Sequence, residues 1–174
     1  MPLNVGCVAA YANKQFGGQI DIKLFKYPLE LIAAIEHSPP HILGLSNYAW
    51  NTNLNYKLAE HAKAYSAQTV CVFGGPNFPL DLEKQQAYLQ QHPAIDFYVK
   101  GQGETGFSKL IDKILGTNAS QTKDSPVNGC AHITMAGEFL VGEPIHLDSL
   151  HELPSPYLTG LLDEFFDGPL IPII

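Results

Sequence analysis

The chain has 174 residues, 45% of them hydrophobic, which is enough for one packed domain and too little for two large ones. Its 17 acidic residues against 10 basic ones give a formal charge of −7 with no basic cluster, so a nucleic-acid partner is not expected. No apolar run approaches the ~20 residues that span a bilayer, and the start lacks the layout of a signal peptide; the expectation is a cytoplasmic protein that meets no membrane.

Val5, Val8, Ala9, Ala12 and Phe16 keep a helical period behind Pro2, and Gly17-Gly18 supplies a stop. Residues 20–25, I-D-I-K-L-F, alternate as a strand does. Pro28 then introduces a helix with Leu31, Ile32 and Ile35 on its inner face, ended by Pro39-Pro40. Residues 42–45 and 70–73 are short runs of β-formers that stop at small or polar residues, and Leu54, Leu58 and Ala62 recur at helical spacing between them. A strand, helix and strand of this length form a unit with parallel strands. The alternation continues with a helix over residues 82–91, a strand at 97–99, and a helix carried by Phe107, Leu110, Ile111 and Ile114 that stops at Gly116.

This order predicts an α/β fold: a doubly wound, flavodoxin-like parallel sheet with helices on both faces. Residues 117–125 read as a polar loop, and 130–135 with 138–141 as a hairpin around Ala136-Gly137. From Pro144 onward, Pro154, Pro156, Pro169 and Pro172 suggest an extended arm leading away from the domain, with one short helix over residues 158–165.

Ligands of such sheets sit outside the carboxyl ends of the strands. Ser46-Asn47-Tyr48 and Gly74-Gly75-Pro76-Asn77 follow two of those ends, and Gly101, Gly103 and Glu104 follow a third. Glycines there allow a ligand close to the backbone, or simply permit a turn with positive φ; both readings remain open. The Ser46 hydroxyl could enter the same groove, whereas Asn47 could instead cap the next helix. Tyr48 and Trp50, the only tryptophan, could stack on a planar ligand or pack beneath a lid. Glu104 suits a helix's first turn better than general-base work.

No histidine lies near an acid and a nucleophile in a persuasive order, and neither a G-x-S-x-G elbow nor a Walker motif occurs. The six histidines so weighed, among them His132, read as surface or structural groups. Cys7, Cys71 and Cys130 are scattered without metal-ligand spacing and read as reduced, buried thiols. No catalytic or metal-ligating residue is expected.

Four blocks together carry a resemblance. Residues 2–6 with Ala9-Ala10-Tyr11, residues 41–48, Phe73 to Asn77 and Tyr98 to Glu104 resemble the amino-terminal cobalamin-binding domain of radical S-adenosylmethionine enzymes. Leu153-Pro154-Ser155-Pro156-Tyr157 is similar to the linker that those proteins place before their catalytic barrel. The resemblance implies a Rossmann-like domain over residues 1–116, an appended loop and hairpin over 117–143, and a linker over 144–174 toward a barrel outside this sequence. It implies that cobalamin's nucleotide tail lies along the rim made by Ser46, Asn47, Tyr48, Gly74, Gly75, Pro76, Asn77, Gly101, Gly103 and Glu104. The commonest activity of the family is methyl transfer.

Two departures shape the expectation. Met1 stands directly before the first helix, so the strand and loop that would precede it, and any histidine cobalt ligand there, are absent from the sequence. The resulting gap invites self-association, or filling by residues 170–174. The C-x-x-x-C-x-x-C motif of the iron–sulfur cluster is also absent, so cluster and S-adenosylmethionine belong to the remainder of a parent enzyme and this chain is not catalytic alone. The rival readings are an interaction domain of the same fold that binds no cobalamin, and a flavin- or nucleotide-binding protein.

Overall fold

Successive residues of a β-strand point to opposite faces of its sheet, and in this chain both faces are apolar. The structure is a computed structural model that describes residues 3–166. Its elements are α1 (Leu3–Phe16), α2 (Pro28–His37), β1 (Ile42–Ser46), α3 (Thr52–Tyr65), β2 (Val70–Gly74), α4 (Leu82–Gln91), β3 (Phe97–Val99), α5 (Gly103–Gly116), α6 (Ala119–Thr122), β4 (Cys130–Ile133) and β5 (Phe139–Val141). Leu43, Leu45, Cys71, Phe73 and Tyr98 face Ile35 of α2, Leu58, Ala59 and Ala62 of α3, and Leu89 of α4. On the reverse side Val70, Val72, Phe97 and Val99 meet Leu110 of α5 and Val127, and α1 lies against α5. Helices therefore cover both faces, as the alternation predicts.

The strands are ordered β1-β2-β3-β4-β5. β1, β2 and β3 run parallel, while β4 pairs antiparallel with β3, and β5 with β4. The expected hairpin thus forms, and it extends the sheet rather than standing beside it.

Residues 20–25 are not a strand. After a short 3-10 turn at Gly17–Gln19 the chain runs through them without joining the sheet. In a flavodoxin-like order this segment and β1 flank the strand that precedes the first helix, and no described residue fills that position. An alternating pattern supplies the side chains of a strand but not the ladder partner that makes one. β1 accordingly pairs only with β2 among the described residues, and Gly44 at its centre is exposed.

The expected polar loop after α5 is a pinned turn. Asn118 caps α6 by accepting from Gln121 N at 2.9 Å, and Thr122 is fully buried. Lys123 reaches Asp96 at 2.6 Å, and Lys63 of α3 reaches the same carboxylate at 2.5 Å. Asp96 is buried and also accepts from Cys71 N at 2.7 Å, so one side chain ties together β2, α3 and the end of α6.

The arm after residue 144 is extended in that its only regular elements among the described residues are 3-10 turns, at Leu150–Glu152 and Asp163–Phe165. The helix expected over 158–165 is reduced to the second of these. Over this length the arm does not lead away from the domain. Pro156 and Leu162 are buried, and a Cβ on Gly6 of α1 would lie 3.1 Å from Leu162 and 3.3 Å from Pro156. Proline spacing shows that a segment is not helical, but not what it rests on. Residues 170–174, offered as a filler of the gap, lie outside the described residues. No helix among the described residues is long and apolar enough to cross a membrane.

Candidate functional site

Pairing register decides which turns share an edge. Ser46 of β1 is opposite Gly74 of β2, and Gly74 is opposite Val99 of β3. The turns after the three parallel strands therefore leave the sheet side by side, and Ser46-Asn47-Tyr48, Gly74 to Asn77 and Gly101 to Glu104 form one rim.

The first two turns are bonded to each other. Asn47 N donates to Gly74 O at 2.6 Å, and Asn47 O accepts from Asn77 N at 3.3 Å. The Asn47 side chain is fully buried. Its Nδ2 lies 2.9 Å from Asn77 O, 2.9 Å from the Tyr98 hydroxyl and 3.2 Å from that of Tyr88, and its Oδ1 accepts from Thr52 Oγ1 at 2.8 Å. Asn77 Nδ2 donates to Thr52 Oγ1 at 2.6 Å, which closes the network. Tyr98 stacks on Phe78 with ring centroids 3.8 Å apart, and its hydroxyl donates to Gly75 O at 3.1 Å. Burial pushes the Tyr98 phenol well above its ordinary range, so it remains a donor. Asn47 caps no helix; it and Asn77 hold the rim in shape.

Glycine is required at position 75 by this clamp. Its φ is +131°, and a Cβ there would lie 2.5 Å from Asn47 O. The positive-φ reading of this turn accounts for the residue. Gly101 also turns with positive φ, +66°, but a Cβ on it would meet no atom within 4 Å, so it opens onto free space.

Gly75, Pro76 and Gly101 are exposed, while Ser46, Tyr48, Gly74, Asn77, Gly103 and Glu104 are half-buried. Asn51 Nδ2 lies 3.4 Å from Ser46 Oγ, Asn51 Oδ1 accepts from Tyr48 N at 2.8 Å, and Asn55 donates to Ser46 O. Tyr48 stacks on Trp50 at 4.6 Å with planes 13° apart; Trp50 is 81% exposed, and Asn4 of α1 donates to the Tyr48 hydroxyl. Glu104 stands in the first turn of α5, as expected of a carboxylate beside a helix N-terminus. Its charge and, more strongly, burial raise the Cys7 thiol.

Sequence reading located the turns but missed the residues that tie them. Asn51, Thr52, Asn55, Tyr88 and Tyr98 carry most of the bonds, and the density of Asn and Thr in W-N-T-N-L-N was the available signal. His132, taken for a surface or structural group, is fully buried in β4 with Nε2 3.1 Å from Lys123 O. Two clefts, of about 250 and 420 Å³, lie elsewhere, between residues 22–27 and the arm. No group of three or more His, Cys, Asp or Glu among the described residues could hold a metal ion.

No protein-family model matches the chain. Over 94% of its length it is 29% identical to the cobalamin-dependent radical SAM methyltransferase TokK of Streptomyces tokunonensis. At the same identity and coverage it matches a 2-(S-pantetheinyl)-carbapenam-3-carboxylate methyltransferase of Streptantibioticus cattleyicolor. It spans about a quarter (24%) of the length of these curated relatives. Among solved structures, the cobalamin-dependent S-adenosylmethionine radical enzyme OxsB with aqua-cobalamin and S-adenosylmethionine bound superposes with a TM-score of 0.67 at 18% identity, over 95% of this chain and 23% of that one. Apo OxsB gives 0.64 at 20% identity, over 91% and 22%. These structures share the fold. The resemblance drawn from the four sequence blocks therefore stands: over nearly its whole length the chain is similar to about a quarter of these cobalamin-dependent radical S-adenosylmethionine methyltransferases.

Proposed function

We propose that this chain is the cobalamin-binding domain of a cytoplasmic radical S-adenosylmethionine enzyme whose whole form is a methyltransferase. The carrying observation is the in-register alignment of Ser46, Gly74 and Val99, which sets three turns along one rim. The donor set suits the ligand. Cobalamin's tail is long and largely uncharged apart from one phosphodiester, and it needs open backbone, hydroxyls and apolar walls rather than a basic pocket. Exposed Gly75 and Gly101 offer backbone, Ser46 a hydroxyl, and Tyr48 with Trp50 an aromatic wall. The three turn sequences contain no lysine or arginine, and Lys100 directly precedes the third.

In this reading Ser46, Tyr48, Gly74, Gly75, Pro76, Gly101, Gly103 and Glu104 line the cofactor, and Asn47 and Asn77 hold the first two turns together. Bound cobalamin supplies a cobalt centre that can carry a methyl group. The chain's own task is to bind and orient it. No residue here is assigned as a cobalt ligand or a catalyst. The iron–sulfur cluster and S-adenosylmethionine belong to a catalytic barrel of the parent enzyme, to which residues 144–174 would be the linker in sequence.

The test mixes purified chain with hydroxocobalamin and records the visible spectrum of the protein peak after gel filtration. Co-elution of the corrinoid bands, with quenching of Trp50 fluorescence, is the expected result. A colourless peak with unchanged fluorescence overturns the reading and favours an interaction domain of the same fold, for which the free side of β1 would be the surface.

A further inference from the structure

α1 touches the rim on one side and the arm on the other. Asn4 donates to the Tyr48 hydroxyl of the first turn. A Cβ on Gly103 would come within 3.1 Å of Val8, so the third turn lies against the same helix. Toward the arm, Gly6 meets Leu162 and Pro156, and Lys14 Nζ donates to Glu152 O at 2.7 Å. Among the described residues one hydrogen bond joins the rim to the arm directly: Gln102 Oε1 accepts from Leu147 N at 2.7 Å.

Gln102 stands between two glycines of the proposed cofactor rim. Its carbonyl accepts from Gly106 N and Thr105 Oγ1, each at 3.2 Å, so its backbone is fixed to the first turn of α5. A ligand resting on Gly101 and Gly103 therefore cannot displace that turn without moving the acceptor that holds Leu147.

From this chain of contacts we infer that occupation of the rim and docking of residues 144–166 on α1 favour each other, with Gln102 as the positioning residue. The inference rests on the cobalamin reading and adds a regulation of that site: a loaded rim holds the chain leading to the catalytic portion in one orientation, and an empty rim holds it less firmly. Coupling of this kind is reciprocal, so loosening the arm must weaken the ligand by the same factor that the ligand tightens the arm.

The experiment uses the whole chain with hydroxocobalamin as probe and reads amide hydrogen exchange of the arm by mass spectrometry. Ligand is expected to slow exchange at Leu147 and Thr159 several-fold. Without ligand, Gln102→Ala is expected to speed arm exchange roughly two- to tenfold, the range set by losing one intramolecular hydrogen bond. Gln102→Glu keeps an acceptor oxygen and should restore the slow rate. Leu162→Ala, on the far side of α1 from the rim, should weaken hydroxocobalamin binding several-fold while exchange of the β2 amides is unchanged. A chain that binds hydroxocobalamin with no change in arm exchange overturns the coupling and leaves the cofactor reading intact. A chain that fails to bind overturns both.

Discussion

Two glycines of the rim permit a matched pair of substitutions whose outcomes should diverge. Gly75→Ala places a Cβ 2.5 Å from Asn47 O and 3.1 Å from Asn47 N, on a backbone with φ of +131°. The backbone conformation alone costs about 1–3 kcal/mol for a residue with a Cβ. The overlap is with main chain, so it is relieved only by separating the two turns, which forfeits the 2.6 Å bond from Asn47 N to Gly74 O. That adds about 1 kcal/mol, for a total of roughly 2–4 kcal/mol. Gly101→Ala meets no atom within 4 Å and bears only the left-handed backbone cost, about 1–2 kcal/mol. Urea unfolding followed by tryptophan fluorescence gives both values, and a hydroxocobalamin titration of each variant gives the affinity. Gly75→Ala should be the less stable protein. Gly101→Ala should lose affinity out of proportion to its small stability loss, because its new methyl group stands in the free space beside the proposed cofactor rim. Equal stabilities, or the reverse order, would refute the assignment of Gly75 to the inter-turn clamp.

Three further outcomes follow from buried groups. Asp96→Ala removes the shared partner of Lys63 and Lys123 and orphans Cys71 N; both lysines retain some access to water, which places the loss near the low end of that for breaking a buried pair, about 3 kcal/mol. For a chain of this size the urea midpoint should fall by roughly 1.5 M, and a fall under a third of that would show the triad to be incidental. His132 is held below its ordinary pKa by burial first. As pH falls through about 6.5 the unfolded chain takes up a proton that the folded chain refuses, so stability declines toward acid by up to about 1.4 kcal/mol per pH unit until the folded pKa is reached. His132→Phe should flatten that slope, and an unchanged slope would exclude His132 as its origin. Burial pushes the thiols of Cys71 and Cys130 up to about 12; a disulfide-exchange reagent at pH 8 should therefore modify Cys7 alone in native protein and all three thiols in urea, while rapid native labelling at Cys71 or Cys130 would contradict their burial.

Local pattern revealed those parts of the molecule whose partners lie nearby in sequence. The helix periods and the apolar runs 42–45 and 70–73 announced themselves because each element buries a face that its own spacing defines. Residues 20–25 misled for the complementary reason. Their alternation is that of a strand, but a ladder needs a second chain segment in place, and no described residue provides it. The rim was legible as a set of positions, since strand ends are marked by glycine and small polar residues. The role of Asn47 was not, because it depends on Tyr98, 51 residues away in the chain. The same holds for Asp96, whose lysines come from α3 and from just beyond α6. Chemistry carried by a buried hydrogen bond between distant residues leaves no periodicity to read.

The clamp centred on Asn47 has a thermodynamic corollary. Two loops that would otherwise fluctuate independently are already joined, through main chain and side chain, to each other and to the centre of the sheet. A molecule arriving at this edge meets a surface whose conformational freedom was surrendered during folding, so little ordering of these loops remains to oppose association. The relative placement of these first two turns is thus inherited from the architecture.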